Sequence, residues 1–169
     1  MELSHRPLPD IPSRPEQLAD ALRQRDAGTF QQMEEIFAGV SEEEASHRPA
    51  KDEWSASEVL SHLIHEQRGT ITFINDLLGE YEPLYDGYGP NTDCRIRATL
   101  EANPTLAGLI EEYQRNTIET ASFVQGLPAN FMENKGSYWR MAYILLEQDY
   151  HFLSHKEQIQ AAIAHARQG

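Results

Sequence analysis

The sequence predicts an all-α fold: a four-helix bundle, up-down, with a longer crossover connection between helices 2 and 3. Apolar residues recur at helical spacing in four long stretches. Helix-starting and helix-stopping residues bracket those stretches. There is no alternation of strand and helix patterns, no hairpin dipeptide between alternating runs, and no internal repeat.

The elements follow in order. Residues 1–12 carry Pro7, Pro9 and Pro12 and read as an extended arm, leaving residues 13–169 as a single bundle domain. The first helix starts at Ser13, with Pro15 in the first turn, where a missing N–H costs nothing. Leu18, Leu22, Phe30, Met33, Ile36, Phe37 and Val40 follow the helical repeat, and Gly39 is a candidate C-cap. Ser41 and Glu44 form a capping-box pattern over a short helical turn, and Ser55 and Glu58 form a second one. The second long helix carries Val59, Leu60, Leu63, Ile64, Ile71, Ile74, Leu77 and Leu78 and ends at Gly79. Residues 80–102 are the least regular, with Tyr81, Tyr85 and Tyr88 among glycines and prolines, and are read as the crossover. Asn103 and Pro104 serve as N-cap and first-turn proline for the third helix, which runs through Leu106, Leu109, Ile110, Tyr113, Thr117, Ala121 and Val124 to Gly126. The fourth begins near Ser137, with Met141, Ile144, Leu145, Gln148, Phe152, His155, Ile159 and Ile163 on its inner side.

Composition narrows the function. Apolar residues make up 40% and charged residues 24%, enough for both a core and a hydrated surface. No apolar run approaches a membrane span, and the first residues have no signal-like apolar segment. Cys94 is the single cysteine, so the default compartment is a reducing cytoplasm. The net charge is -13, with the 14 Lys and Arg scattered. Such a surface repels phosphate backbones, so nucleic acid is not an expected partner, and the lack of a long apolar run likewise leaves no expectation of a membrane.

The chemistry sits in histidines. His151 and His155 are four residues apart on the predicted fourth helix, and His62 lies on the second, between apolar neighbours. Rings four apart share a helix face. Two of them plus a third from a facing helix can hold one divalent ion at about 2.0–2.1 Å. Spacing alone is a weak signal, because seven histidines give such a pair by chance in roughly a quarter of chains this long. Glu66 and Glu147 sit one turn from His62 and His151 and are candidates to orient a ring or complete the site; a solvated glutamate is the competing reading. His65 reads as an exposed helix histidine. His5, His47 and His165 fall in an arm, a loop and a helix terminus and receive no role. Cys94 has Arg95 and Arg97 beside it but no partner base, and reads as a bystander thiol. The three tyrosines of the crossover read as a cover over the bundle end. There is no HExxH run, Gly-rich phosphate loop or GxSxG elbow.

These residues carry a resemblance. Trp54-Ser55, then Glu58-Val59-Leu60-Ser61-His62-Leu63, then the His151/His155 pair, resemble in order and separation the DinB-like, or YfiT-like, metalloenzyme superfamily, over about Pro15 to Ala164. The resemblance implies a four-helix bundle in which His62, His151 and His155 hold a divalent ion, nickel or zinc. It further implies a homodimer, and chemistry like that of transferases or isomerases dependent on a low-molecular-weight thiol, acting on a small-molecule substrate. The expectation is therefore a metal-dependent enzyme, a thiol S-transferase or a hydrolase. The alternative is a non-catalytic, metal-stabilised bundle acting in a stress response or by assembly. A fourth protein ligand would favour the alternative; an open position beside a pocket would favour the enzyme.

Overall fold

The computed structural model describes residues 10–79, 81 and 92–168. Every regular element among them is helical: α1 (Pro15–Phe37), α2 (Glu42–Ser46), α3 (Ala56–Leu78), α4 (Thr92–Ala102), α5 (Leu106–Gln125), α6 (Lys135–Leu146) and α7 (Gln148–Ala166), with a short 3-10 turn at Ala129–Glu133. Most of the arm, residues 1–9, lies outside the described residues, as do Glu80 and the crossover positions Tyr85 and Tyr88.

Local chemistry explains most boundaries. Pro15 takes the first position of α1, after an extended Arg14. The start is two residues later than Ser13, and the proline ring itself sets the helical φ. Gly39 follows α1 at φ 70°, a left-handed conformation that only glycine adopts cheaply. Both capping boxes are formed, Ser41 with Glu44 and Ser55 with Glu58. Arg48 reinforces the second, its Nε donating to both Glu58 oxygens at 3.0 and 2.8 Å. Glu42 reaches across the fold, and both its oxygens accept from the Leu106 N–H at 3.0 and 2.9 Å. A carboxylate there complements the positive end of α5.

Three expectations need correction. The stretch 80–102 is not wholly irregular, because Thr92–Ala102 forms α4. Only Ile96 and Thr99 of α4 are buried, while Asp93, Arg95, Arg97 and Glu101 face out. A helix that buries so little has almost no apolar periodicity to detect. Asn103 consequently ends α4 instead of starting α5: its N–H and side-chain amide both donate to the Thr99 carbonyl, at 3.0 and 3.1 Å. Thr105 caps α5, accepting from the Gly108 N–H at 3.1 Å.

The fourth predicted helix starts slightly early, at Lys135 under an Asn134 cap, and is broken at Glu147 into α6 and α7. Glu147 sits at φ -88°, ψ -3°. The break releases carbonyls at the end of α6. Arg25 of α1 satisfies one of them, donating to the Leu145 carbonyl while pairing with the neighbouring Asp26 carboxylate. Asp26 is 6% exposed, so this guanidinium also neutralises a buried charge. No local pattern in the sequence announces the break, because its support comes from residues 120 positions away.

Packing is organised around α3. It contacts α5 and α7, α1 also contacts α5 and α7, α4 lies against α3, and α2 touches α3 and α7. The core falls into two apolar clusters. One gathers Met33, Phe37, Val59, Leu60, Leu63, Ile64, Leu109, Tyr113, Phe152 and Ile159. The other gathers Leu18, Leu22, Ile74, Leu77, Val124, Met141 and Leu145. Between them in sequence, on α1, α3 and α5, lie the buried polar residues Asp26, Thr29, Gln67, Thr117 and Thr120. This polar belt, between two hydrophobic halves, adjoins the histidines.

Candidate metal centre

His62 projects from α3 two turns after the Ser55 cap; His151 and His155 project from the first half of α7. The structure brings all three together. One ring nitrogen from each lies within 4.8 Å of the others. Ring centroids are 5.1 Å apart for His62–His151, 5.1 Å for His62–His155 and 4.9 Å for His151–His155, all edge-on. Tetrahedral bonds of about 2.0–2.1 Å would put ligand nitrogens about 3.3–3.4 Å apart, so modest side-chain rotations bring the donors to bonding range. Among the described residues, no further histidine, cysteine or carboxylate joins this group.

The surroundings suit a cation ligand set. His62 and His151 are half-buried, and both are pushed down to about 4. Burial is the main cause for each. His155 and His65 add to it for His62; His155 and His62 add to it for His151, against an opposing pull from Glu66. Both rings are therefore neutral at physiological pH, the form that binds a metal. The third ring is oriented from its far side: His155 Nδ1 lies 2.8 Å from Gln158 Oε1. Holding one nitrogen of a ring directs the other inward. Trp54 lies against His62, with centroids 5.2 Å apart.

The expected partner carboxylates separate. Glu66 lines a cavity of about 90 Å³ beside His151, together with Leu63, Gln67, Thr70 and Tyr113. Glu147 occupies the α6–α7 break, and neither glutamate belongs to the ligand group. His65 is half-buried rather than exposed, with its pKa lowered first by burial and then by Arg95, against an opposing effect of Glu66 that exceeds the further lowering by Arg68. His165 stacks on His47 at 5.4 Å, in a pair separate from the cluster. Cys94 is exposed on α4, with the Arg97 guanidinium 3.7 Å from its sulfur. Tyr81 is 72% exposed and so covers little.

Two residues of the cavity, Gln67 and Thr70, escaped the sequence reading. Gln67 sits one turn after Leu63 and two after Leu60, on the apolar stripe of α3, and is 8% exposed. A polar side chain on a buried stripe was the available signal.

The sequence of the whole arrangement can be compared with known families. The model of the DinB superfamily matches residues 25–167. The chain belongs to the DinB superfamily. The match spans α2 to α7 and most of α1, and includes all three clustered histidines. Comparison with curated proteins and with solved structures finds no significant match. Membership thus carries the family, while substrate and reaction must be argued from this DinB chain's own residues. No helix among the described residues is long and apolar enough to cross a membrane.

Proposed function

We propose that this DinB-superfamily chain is a divalent-metal-dependent enzyme whose ion, nickel or zinc, is held by His62, His151 and His155. The single observation that carries the reading is the pairing of a three-donor cluster with an adjoining cavity. Three protein donors with space beside them is the pattern of catalytic sites, whereas structural sites close with a fourth protein ligand. The reading takes the four long helical segments as a four-helix bundle, in which facing helices supply the donors.

An ion held there would act as a Lewis acid, favouring the deprotonated form of a thiol or water at neutral pH. The chain's own residues do the rest. His62 and His151, kept neutral by burial, offer lone pairs without first losing protons. Gln158 fixes the tilt of His155. Leu63 and Tyr113 supply the large apolar side chains of the cavity wall. The Glu66 carboxylate lines the same cavity and is the group placed to accept a proton from a ligand entering it. This suits thiol-dependent transfer or isomerisation of an electrophilic small molecule, with hydrolysis as the related outcome when water takes the thiol's place. This reading is favoured over a purely structural ion because His151 of the cluster also lines the cavity and, among the described residues, no fourth donor side chain joins the three.

The test is elemental analysis of untagged protein prepared without chelator. Close to one equivalent of nickel, zinc or a related ion is expected. Protein that contains no metal and cannot be reloaded would remove the basis of the proposal.

A further inference from the structure

The belt between the two apolar clusters holds a buried polar atom that no other described residue satisfies. Gln67 Nε2 donates to Thr117 Oγ1 at 2.8 Å. The Thr117 hydroxyl in turn donates to the Tyr113 carbonyl at 2.8 Å. Its only proton is therefore used, and toward Gln67 it can only accept. That logic fixes the amide: nitrogen faces Thr117, and the oxygen is left over. Gln67 Oε1 is buried and has no hydrogen-bond partner among the described residues. A buried acceptor without a donor destabilises the fold, and such groups cluster where function needs them.

Gln67 also lines the cavity beside His151. The other polar groups there point to the same kind of ligand. The Thr70 hydroxyl already donates to the Glu66 carbonyl at 3.1 Å. Glu66 contributes a carboxylate. Among the described residues no Lys or Arg lines the cavity, and the chain as a whole carries a charge of -13. An ammonium group has three donors and no acceptor, which suits several acceptors around one small space; a hydroxyl donates only once. A volume of about 90 Å³ admits a short aminoalkyl group and little more.

We propose that Gln67 is a substrate-recognition residue, whose buried carbonyl oxygen accepts a hydrogen bond from an ammonium group of the small molecule that reacts at the three-histidine centre, with Glu66 supplying the opposing charge. The inference rests on the metal-centre reading and adds the class of ligand: a primary amine with its nitrogen a few atoms from the group that meets the ion. It also explains why a glutamine interrupts the apolar stripe of α3.

The experiment uses the full chain loaded with cobalt and three thiols of equal length: 2-aminoethanethiol, 2-mercaptoethanol and propane-1-thiol. Dissociation constants are read from the visible spectrum and corrected for each thiol's own ionisation. The aminothiol is expected to bind about tenfold or more tighter than propane-1-thiol, and Gln67→Leu is expected to shrink that preference about tenfold. Gln67→Met, of similar shape, is expected to behave alike and serves if the leucine variant does not fold. Melting of the metal-free protein supplies a readout independent of the ion: losing an unmatched acceptor leaves the Tm within about 2 °C or raises it. Equal affinities for the three thiols in the unaltered protein, a preference unchanged by both substitutions, or a metal-free Tm lowered by more than about 5 °C overturns the role of Gln67 and leaves the metal centre standing. A cobalt spectrum that none of the thiols moves overturns this inference and the thiol chemistry together.

Discussion

Acidification separates a buried histidine cluster from an exposed one. An ordinary imidazole titrates near 6.5, so lowering the pH from 7.5 to 5.5 costs a metal site about tenfold in affinity per ring, and two such rings about a hundredfold. His62 and His151 are held at about 4, chiefly by burial. At pH 5.5 both remain almost wholly neutral, so neither proton competes with the ion. The expected loss of affinity between pH 7.5 and 5.5 is therefore about tenfold or less. Trp54, 5.2 Å from His62, supplies the assay. Nickel quenching of its fluorescence is titrated in a non-coordinating buffer, with the surface residue Trp139 replaced by phenylalanine to leave one reporter. Trp139 is 44% exposed, so this change should leave the fold intact. A loss of a hundredfold or more would refute the reasoning, because it would mean that these rings titrate as if in water.

Further outcomes test the same arrangement. His151→Ala is expected to lower metal occupancy far more than His165→Ala, whose ring stacks on His47 away from the cluster; elemental analysis showing equal occupancy would defeat the ligand assignment. In metal-free protein, the lowered values of His62 and His151 mean that the unfolded chain binds more protons between pH 4 and 6.5. Stability should thus be fully present above about 6.5 and be lost as the pH falls toward 4. After discounting for two half-exposed rings, the loss is about 1–2 kcal/mol for the pair, measurable by urea unfolding across that window, and a flat profile would contradict the burial. Arg25→Met should destabilise by about 2–4 kcal/mol, because it removes the guanidinium that pairs with the buried Asp26 and donates to the Leu145 carbonyl at the α6–α7 break. Adding Asp26→Asn should recover part of that loss, and simple additivity of the two changes in denaturant unfolding would contradict their coupling.

Much of this protein is legible locally. The helical repeat of Leu60, Leu63 and Ile64, the serine–glutamate boxes at Ser41 and Ser55, and the glycines at 39, 79 and 126 act over a turn or two, so the sequence specifies them without reference to distant residues. The same holds for the shared face of His151 and His155, which helix geometry alone dictates. His62 stands out as the third candidate donor from its place among apolar neighbours on the second long helix, and the DinB-like motifs give it the same role. By contrast, α4 escaped notice because it buries only Ile96 and Thr99 and draws its support from α3.

Long-range contacts decided the rest. The break at Glu147 depends on Arg25 reaching a carbonyl of α6, and the start of α5 is held by Glu42 from α2. The convergence of ring nitrogens from α3 and α7, their loss of water and their depressed pKa values exist only once those helices pack. So does the unmatched oxygen of Gln67, whose orientation is dictated by a hydroxyl fifty positions away. Local propensity falls off within a few residues, whereas desolvation and hydrogen-bond satisfaction depend on what surrounds an atom in three dimensions. The sequence by itself determined the long helices, α4 and the break at Glu147 aside, and which side chains were candidates to bind an ion; tertiary packing decided which of them meet, and in what medium.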